Sequence, residues 1–178
     1  MSKKVLLCVL GLGLALICHA QDSPQVFLDL HNAARRAAGV GPLQWNSSLE
    51  AYARKYANQR NDCQLIHSEG PYGENIYWGY GEGFMGAEAA VRYWVDEKDY
   101  YDYNTNSCLK GKDCLHYTQI VWKNSKNLGC ASSHCSNGGM FTTCNYYPPG
   151  NYDGERPYWK EPIMKHTDAS TICLMNNS

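Results

Sequence analysis

Residues 144–158 read CNYYPPGNYDGERPY and join the end of a strand pattern to a cysteine and a Pro-Pro-Gly-Asn turn. Proline cannot donate to a sheet ladder and glycine permits turn geometry, so this stretch predicts where a strand ends. Upstream, residues 116–122 read HYTQIVW and place a histidine at the head of an aromatic and β-branched run. These two stretches say more about fold and function than any other part of the chain.

The strand that ends in this turn has a predicted partner just before it. Residues 128–133 and 140–147 are both short strand candidates, and Asn137-Gly138-Gly139 separates them. An Asn-Gly pair between two such runs is a strong signal for a β-hairpin. The second half of the chain is therefore predicted to contain an antiparallel hairpin.

The first half of the chain has helical periodicity instead. Residues 24–38 repeat apolar side chains every three or four positions, which predicts an amphipathic helix. Ser23 suits the N-cap, Pro24 suits the first helical position, and Gly39 suits the stop.

Two more helices are predicted before the hairpin, one beginning at residues 45–47 and one over residues 84–98. Residues 70–83 are rich in Gly, Tyr and Trp and are predicted to form an ordered loop with a short strand. Helices first and a hairpin later favour the α+β class, in which helices cover an antiparallel sheet.

The first 20 residues are predicted to be a secretory signal peptide. Lys3 and Lys4 provide a basic start, residues 5–18 are apolar but short for a bilayer, and Ala20 is the small residue at the expected cut. Cleavage there would leave 158 of the 178 residues, which is the length of one domain. The secretory route also permits disulfides.

Charge and apolar content argue against two classes of partner. Loss of two lysines with the signal reduces Lys and Arg from 16 to 14 against 17 Asp and Glu, a net charge of −3. Nucleic-acid binding needs clustered basic residues, and a second run of roughly 20 apolar residues would be needed for a membrane span. We therefore expect one domain at residues 21–158 that neither binds nucleic acid nor spans a membrane. Residues 159–178 are expected to form an irregular, exposed extension.

Four motifs in order resemble those of the CAP superfamily, in particular the plant pathogenesis-related class 1 proteins. Besides HYTQIVW and CNYYPPGNYDGERPY, residues 31–35 read HNAAR, similar to the family's HNxxR motif, and residues 73–76 read GENI. The resemblance covers residues 23–158. It implies a three-layer α-β-α sandwich with a central antiparallel sheet, stapled by disulfides.

Nine cysteines are present, and seven remain once Cys8 and Cys18 leave with the signal. Six cysteines allow fifteen pairings, and spacing alone does not choose among them. The resemblance implies the pairs Cys63–Cys135, Cys108–Cys114 and Cys130–Cys144. The last pair also lies on the two arms of the predicted hairpin, close enough to bridge, whereas Cys173 is left over in the extension.

The resemblance also implies a central cleft lined by His67, Glu74, Glu97 and His116. Imidazoles and carboxylates together suit a divalent metal such as zinc, or general acid-base work on a water. The alternative is a buried polar network in which each carboxylate accepts from an imidazole. There is neither a His-Glu-x-x-His helix nor a Gly-x-Ser-x-Gly elbow. We therefore expect no required cofactor and a non-enzymatic protein, with a metal-dependent hydrolase as the alternative.

The resemblance implies a secreted defence protein that acts by binding. Its expected partner is a sterol or other membrane lipid of a pathogen, with an antimicrobial effect, and the 14 Tyr and 5 Trp could line such a site. We expect a monomer located in the apoplast, with the vacuole as an alternative.

Two processing events are also predicted. Asn46 and Asn176 fit the glycosylation pattern, and we expect partial occupancy at Asn46. In the family, a cut between the residues corresponding to Tyr147 and Pro148 can free an eleven-residue immune peptide, which would end here at Tyr158. Because residues 159–178 follow, that peptide requires a second cut.

Overall fold

A computed structural model describes residues 22–159. The signal peptide, the extension beyond Trp159, Cys173 and Asn176 lie outside the described residues. In chain order the elements are α1 (Pro24–Ala37), β1 (Gln44–Trp45), α2 (Ser47–Ala57), β2 (Gly73–Gly79), α3 (Gly86–Asp96), a 3-10 turn (Glu97–Tyr100), β3 (Tyr101–Asp102), β4 (Ser107–Cys108), α4 (Leu115–Ile120), β5 (Asn127–His134) and β6 (Met140–Tyr147).

The helices begin where side chains can accept from their first backbone N–H groups. Ser23 Oγ accepts from Val26 N at 3.3 Å at the start of α1. At the start of α2, Asn46 Oδ1 accepts from Ser48 N at 2.9 Å. Helix α3 begins two residues later than predicted, and a distant residue, Asp22, accepts from Ala87 N at 2.6 Å. Caps of this kind satisfy donors that have no partner within the helix.

Strands β1, β5, β6 and β2 form one sheet in that order. The predicted hairpin is β5 and β6, which pair antiparallel over eight positions each, and only the two-residue β1 pairs parallel. The predicted ordered loop with a short strand at residues 70–83 contains the strand β2, which spans seven residues, Gly73–Gly79. All seven residues of β2 pair with β6, so ladder pairing overrides the low strand preference of glycine.

Helices cover both faces of the sheet. Helix α2 lies on one face above Ala131 and Phe141, while α1, α3 and α4 pack on the other around Trp94 and Tyr146. Alternating strand residues supply the two cores, as the two-residue period of a strand requires. The predicted three-layer α-β-α architecture and the α+β class are confirmed.

The HNAAR motif has a structural role in α1. The Arg35 side chain is fully buried and donates to the carbonyl oxygens of Gly41, Ile120, Trp122 and Ser125 at 2.7–3.1 Å. Burial lowers the pKa of Arg35 to about 10. This side chain thus ties α1 to the loop after it and to the chain around the end of α4 by donating to carbonyl oxygens of both.

Three disulfides staple the described residues. Cys130–Cys144 links β5 to β6 at opposite positions of the hairpin, and Cys63–Cys135 ties the loop after α2 to the end of β5. Cys108–Cys114 closes a short loop between β4 and α4. These are the same three pairs that the family resemblance implies.

Candidate functional site

His116 and Glu97 form the first of two histidine–carboxylate pairs. The imidazole Nδ1 of His116 lies 2.7 Å from Glu97 Oε1. Glu97 Oε2 accepts from the backbone N–H of His116 at 3.0 Å and of Tyr117 at 3.3 Å. The 3-10 turn after α3 carries the glutamate, and the first turn of α4 carries the histidine. The carboxylate therefore caps a helix and orients an imidazole at the same time.

Buried residues of the core contact both the ring and the backbone of His116. Trp94 stacks on it with ring centroids 6.1 Å apart. Asn75 Nδ2 donates to the His116 carbonyl at 3.0 Å and to Tyr146 Oη at 3.1 Å, and His31 Nε2 contacts the same phenol at 2.8 Å. Neither His31 nor Asn75 is predicted from the sequence to support the cleft, although they belong to the motifs HNAAR and GENI.

His67 and Glu74 form the second pair. Nδ1 of His67 lies 2.8 Å from Glu74 Oε1, and the same oxygen accepts from Ser68 N at 2.9 Å. His67 stands on the loop between α2 and β2 with 53% of its side chain exposed, whereas Glu74 on β2 is 6% exposed. The second carboxylate oxygen, Oε2, is buried and has no hydrogen-bond partner within residues 22–159.

The two members of the second pair shift each other's pKa. The hydrogen bond to Glu74 raises the pKa of His67 above its ordinary value, and burial only partly opposes it. Burial acts to raise the pKa of Glu74, but hydrogen bonds from His67 and Ser68 outweigh it and the net direction is down. Both shifts favour the charged carboxylate beside a protonated imidazole.

One cleft of about 430 Å³ brings the two histidines together. Its lining consists of Leu65, His67, Ile76, Tyr77, Trp78, Tyr93, Asp113 and His116. A neighbouring hollow shares Tyr93 and Asp113 and reaches Glu97. Of this lining, the resemblance-based prediction named His67 and His116 but neither Asp113 nor the apolar wall. The aromatic cluster at residues 72–80 did not reveal which rings face the cleft.

The pairs leave one nitrogen of each imidazole available to a ligand. Because Nδ1 of His67 and of His116 contacts a carboxylate, Nε2 is the atom left to bind a metal, and Glu74 and Glu97 become orienting groups. Among residues 22–159, the only three His, Cys, Asp or Glu ligand atoms within 4.8 Å of one another belong to His31 and the disulfide-bonded Cys130 and Cys144. The four predicted ligands therefore do not form a closed four-ligand site.

Two of the predicted processing residues, Asn46 and Tyr147, lie near each other and line one surface pocket. Asn46 is partly buried, and its Oδ1 is engaged as the helix cap. Tyr147 is half exposed, yet its carbonyl accepts from Lys126 N at 2.9 Å. The Pro148 carbonyl accepts from Ser125 Oγ at 2.8 Å. Tyr158 stacks on Tyr103 with ring centroids 5.4 Å apart, so both ends of the segment are held.

Known proteins are similar to this chain in sequence or in fold. The chain is 55% identical over 142 residues to pathogenesis-related protein 1A of Nicotiana tabacum, covering 79% of this chain and 84% of the relative. It is 50% identical to pathogenesis-related protein 1 of Arabidopsis thaliana, covering 86% and 94%. The crystal structure of NaASP2 with Zn²⁺ superposes with a TM-score of 0.64 at 26% identity, covering 79% and 88%.

A family model also matches most of the folded part of the chain. Residues 28–146 fit the CAP model, described as the cysteine-rich secretory protein family. That match includes both histidine–carboxylate pairs and all three disulfides. The chain therefore belongs to the CAP family, and within it to the pathogenesis-related class 1 proteins of plant defence.

Proposed function

We propose that this protein acts in defence by binding an amphipathic lipid, with a pathogen sterol as the ligand and an antimicrobial effect as the result. The observation that carries the proposal is the apolar wall of the cleft. Leu65, Trp78 and Tyr93 are 59%, 42% and 57% exposed, and all three line the same space as His67 and His116. The cleft volume of about 430 Å³ falls within the range of about 300–1,000 Å³ of small-molecule sites.

The chemistry of the cleft suits a ligand with one polar end. Exposed apolar side chains that are grouped together mark binding surfaces more often than scattered ones do. A sterol would cover the wall with its ring system and place its hydroxyl near the imidazoles. The hydroxyl can donate to a neutral Nε2 or accept from a protonated one.

A sterol titration with paired leucine variants tests this proposal. Leu65→Ser removes part of the cleft wall, and Leu109→Ser changes a leucine of similar exposure (49%) outside the cleft. With a fluorescent sterol as the probe, we expect Leu65→Ser to weaken binding about tenfold, the loss expected when one apolar contact of about 1.4 kcal/mol is removed. Leu109→Ser should bind like the wild type. Equal affinity in all three proteins would contradict the proposal.

We also propose that Nε2 of His67 and of His116 can hold a divalent metal such as zinc. The two imidazole–carboxylate pairs support this, since a carboxylate on Nδ1 fixes the tautomer that leaves Nε2 as a ligand. NaASP2, the structural relative described above, was crystallised with Zn²⁺. A bound ion could lower the pKa of a coordinated water, which is the basis of the rival function, a metal-dependent hydrolase.

Chelation separates the binding function from the hydrolase. We expect sterol binding to survive EDTA, because the apolar wall does not need the ion. Ester or peptide hydrolysis that is present in the wild type and lost with EDTA would instead support the hydrolase.

The chain should be a secreted monomer of the apoplast, with the vacuole as the alternative, and without a nucleic-acid partner. No helix within residues 22–159 is both long and apolar enough to cross a bilayer. Three disulfides are consistent with an oxidising compartment.

Residues 148–158 are further proposed to be freed as an immune peptide by cuts before Pro148 and after Tyr158. Gly150 N donates to Gln119 Oε1 at 2.9 Å, and Asn151 contacts Thr118 and the Leu115 carbonyl at 2.7 and 2.8 Å. Release therefore requires local opening before cleavage. Peptide mass spectrometry of fluid from challenged tissue would test this, and recovery of other processed peptides without this one would count against it.

A further inference from the structure

Four buried polar atoms lie on one face of the sheet without hydrogen-bond partners among the described residues. They are Glu74 Oε2, Thr143 Oγ1, and both the Nδ2 and the Oδ1 of Asn145. Thr143 and Asn145 are completely buried. More than nine in ten buried polar groups in proteins are hydrogen-bonded, so a cluster of unpaired ones calls for a partner.

Strand pairing places these atoms together. Glu74 on β2 is directly opposite Asn145 on β6, and Thr143 is two residues before Asn145 on β6. Residues that are opposite, or two apart on one strand, share a face of the sheet. The face is the one covered by α2, because Ile76 and Phe141, in the same alternation, belong to the core beneath that helix.

The helix above encloses the cluster from the other side. Asn145 also pairs with Gly129 on β5. A Cβ at Gly129 would lie 2.2 Å from the backbone nitrogen of Glu50, so glycine lets α2 approach the sheet closely here. Tyr52 on the same helix donates to Ser68 Oγ at 3.1 Å, beside Glu74. Glu74, Thr143 and Asn145 are not among the residues that line the open cleft.

We propose that Glu74, Thr143 and Asn145 form an internal hydration site that holds one or two ordered waters between α2 and the sheet. A water can donate to Glu74 Oε2 and to Asn145 Oδ1 and accept from Asn145 Nδ2, whereas the threonine hydroxyl can act in either sense. Buried waters in proteins make about three such bonds. The water would donate a hydrogen bond to Glu74 Oε2, while Glu74 Oε1 contacts His67 Nδ1.

Water fits these four atoms better than a metal cation does. The three oxygens alone could bind a hard cation such as Na⁺ or K⁺. The amide Nδ2 carries two hydrogens and cannot serve as a ligand, so a cation would leave that donor unpaired and facing a positive charge. Water supplies both the donors and the acceptor that the cluster lacks.

A threonine pair on adjacent positions of β6 provides the test. Thr143→Val removes a hydroxyl of the cluster, and Thr142→Val removes an equally buried hydroxyl that already contacts Ser132 Oγ at 3.0 Å on the opposite face. Water-oxygen magnetic relaxation dispersion counts long-lived internal waters in the intact protein. We expect Thr143→Val to lose one such water relative to the wild type and Thr142→Val to lose none.

A crystal structure of the wild type at high resolution, with a rubidium soak, completes the test. We expect water density within hydrogen-bonding distance of Glu74 Oε2 and Asn145, and no anomalous rubidium signal there. A direct bond between the Asn145 amide and Glu74 Oε2 without water would overturn the proposal. A rubidium peak at this position would show that the site binds a cation instead of water. Equal water counts in the two valine variants would show that Thr143 does not belong to the site.

Discussion

The two histidine–carboxylate pairs share one contact and differ in what surrounds it. The distance from Nδ1 to Oε1 is 2.7 Å for His116–Glu97 and 2.8 Å for His67–Glu74. Both oxygens of Glu97 accept hydrogen bonds from protein groups, whereas the buried Oε2 of Glu74 has none from residues 22–159. The side chain of His116 is 26% exposed, about half the value for His67.

This difference divides the cleft into a fixed half and an adjustable half. His116 is on a helix, is stacked on Trp94, and is connected to the interior through Asn75. His67 is on a loop. Its partner Glu74 lies on strand β2 and accepts one backbone hydrogen bond, from Ser68 N. Sites on regular elements hold geometry better than sites on loops. We therefore expect ligands to be positioned by the His116 side and accommodated by the His67 side.

Low pH should destabilise the fold mainly on the His116 side of the cleft, because His31 is buried there. The pKa of His31 is lowered to about 4, chiefly by burial; the hydrogen bond to the Phe27 carbonyl opposes this shift and the nearby Arg35 adds to it. The unfolded chain binds this proton near pH 6.5, so the free energy of unfolding should fall as the pH drops from 6.5 to 4. A shift of this size corresponds to about 3 kcal/mol. Urea unfolding across that range measures the loss.

A variant without the imidazole isolates that contribution from the carboxylates that titrate in the same range. His31→Gln should be less stable at pH 7 but should show a flatter pH dependence between pH 6.5 and 4. Parallel curves for the two proteins would show that His31 does not stay neutral in the fold.

Removing the charge of each carboxylate should separate the two halves directly. Glu97→Gln places an amide NH₂ among three N–H donors, and we expect a loss of about 2 kcal/mol in the free energy of unfolding. Glu74→Gln disturbs two donors beside an exposed ring, and we expect about 1 kcal/mol. Urea unfolding at pH 7 with the disulfides intact gives both values, and equal losses would contradict the division into two halves.

The sequence predicts the helices and the hairpin because their signals are local. Ser23, Asn46 and the Asn137-Gly138-Gly139 turn specify boundaries through contacts a few residues away. Strand β2 is underestimated because its partner is β6, more than sixty residues later. Local glycine and tyrosine content cannot report that pairing.

The candidate site is only partly visible in the sequence for the same reason. The resemblance identifies the four polar residues, and the structure shows which oxygens and nitrogens they share. The network behind His116 joins His31 to Tyr146 across 115 residues. Such contacts depend on the packing of three layers, which periodicity and spacing do not specify.

Zinc affinity should depend more on the His116–Glu97 pair than on the His67–Glu74 pair. Glu97→Gln should weaken zinc binding about 10–100-fold, the usual cost of losing a carboxylate behind a histidine ligand, and Glu74→Gln should weaken it less than about tenfold. Calorimetry at pH 7.5 measures both. His134→Ala, which changes an exposed histidine on β5, is the control. Unchanged zinc uptake after His67→Ala together with His116→Ala would rule out this site.

The smallest effect should be the protonation of His67 itself. Its pKa is raised chiefly by the hydrogen bond to Glu74, so the stabilisation from this pair is fully present below about pH 6.5 and is lost as the pH rises through the folded-state value. Half of the ring is in water, and solvent screening keeps the gain small.

Proton NMR titration of the ring should give a pKa above 6.5 that returns toward 6.5 in Glu74→Gln, with the exposed ring of His134 unchanged. Because a metal needs the neutral imidazole, zinc affinity should also continue to rise above pH 6.5 in the wild type and level off earlier in Glu74→Gln. A His67 pKa that is the same in both proteins would mean that the adjustable half is open in solution, and only the His116 side of the cleft would then be preorganised.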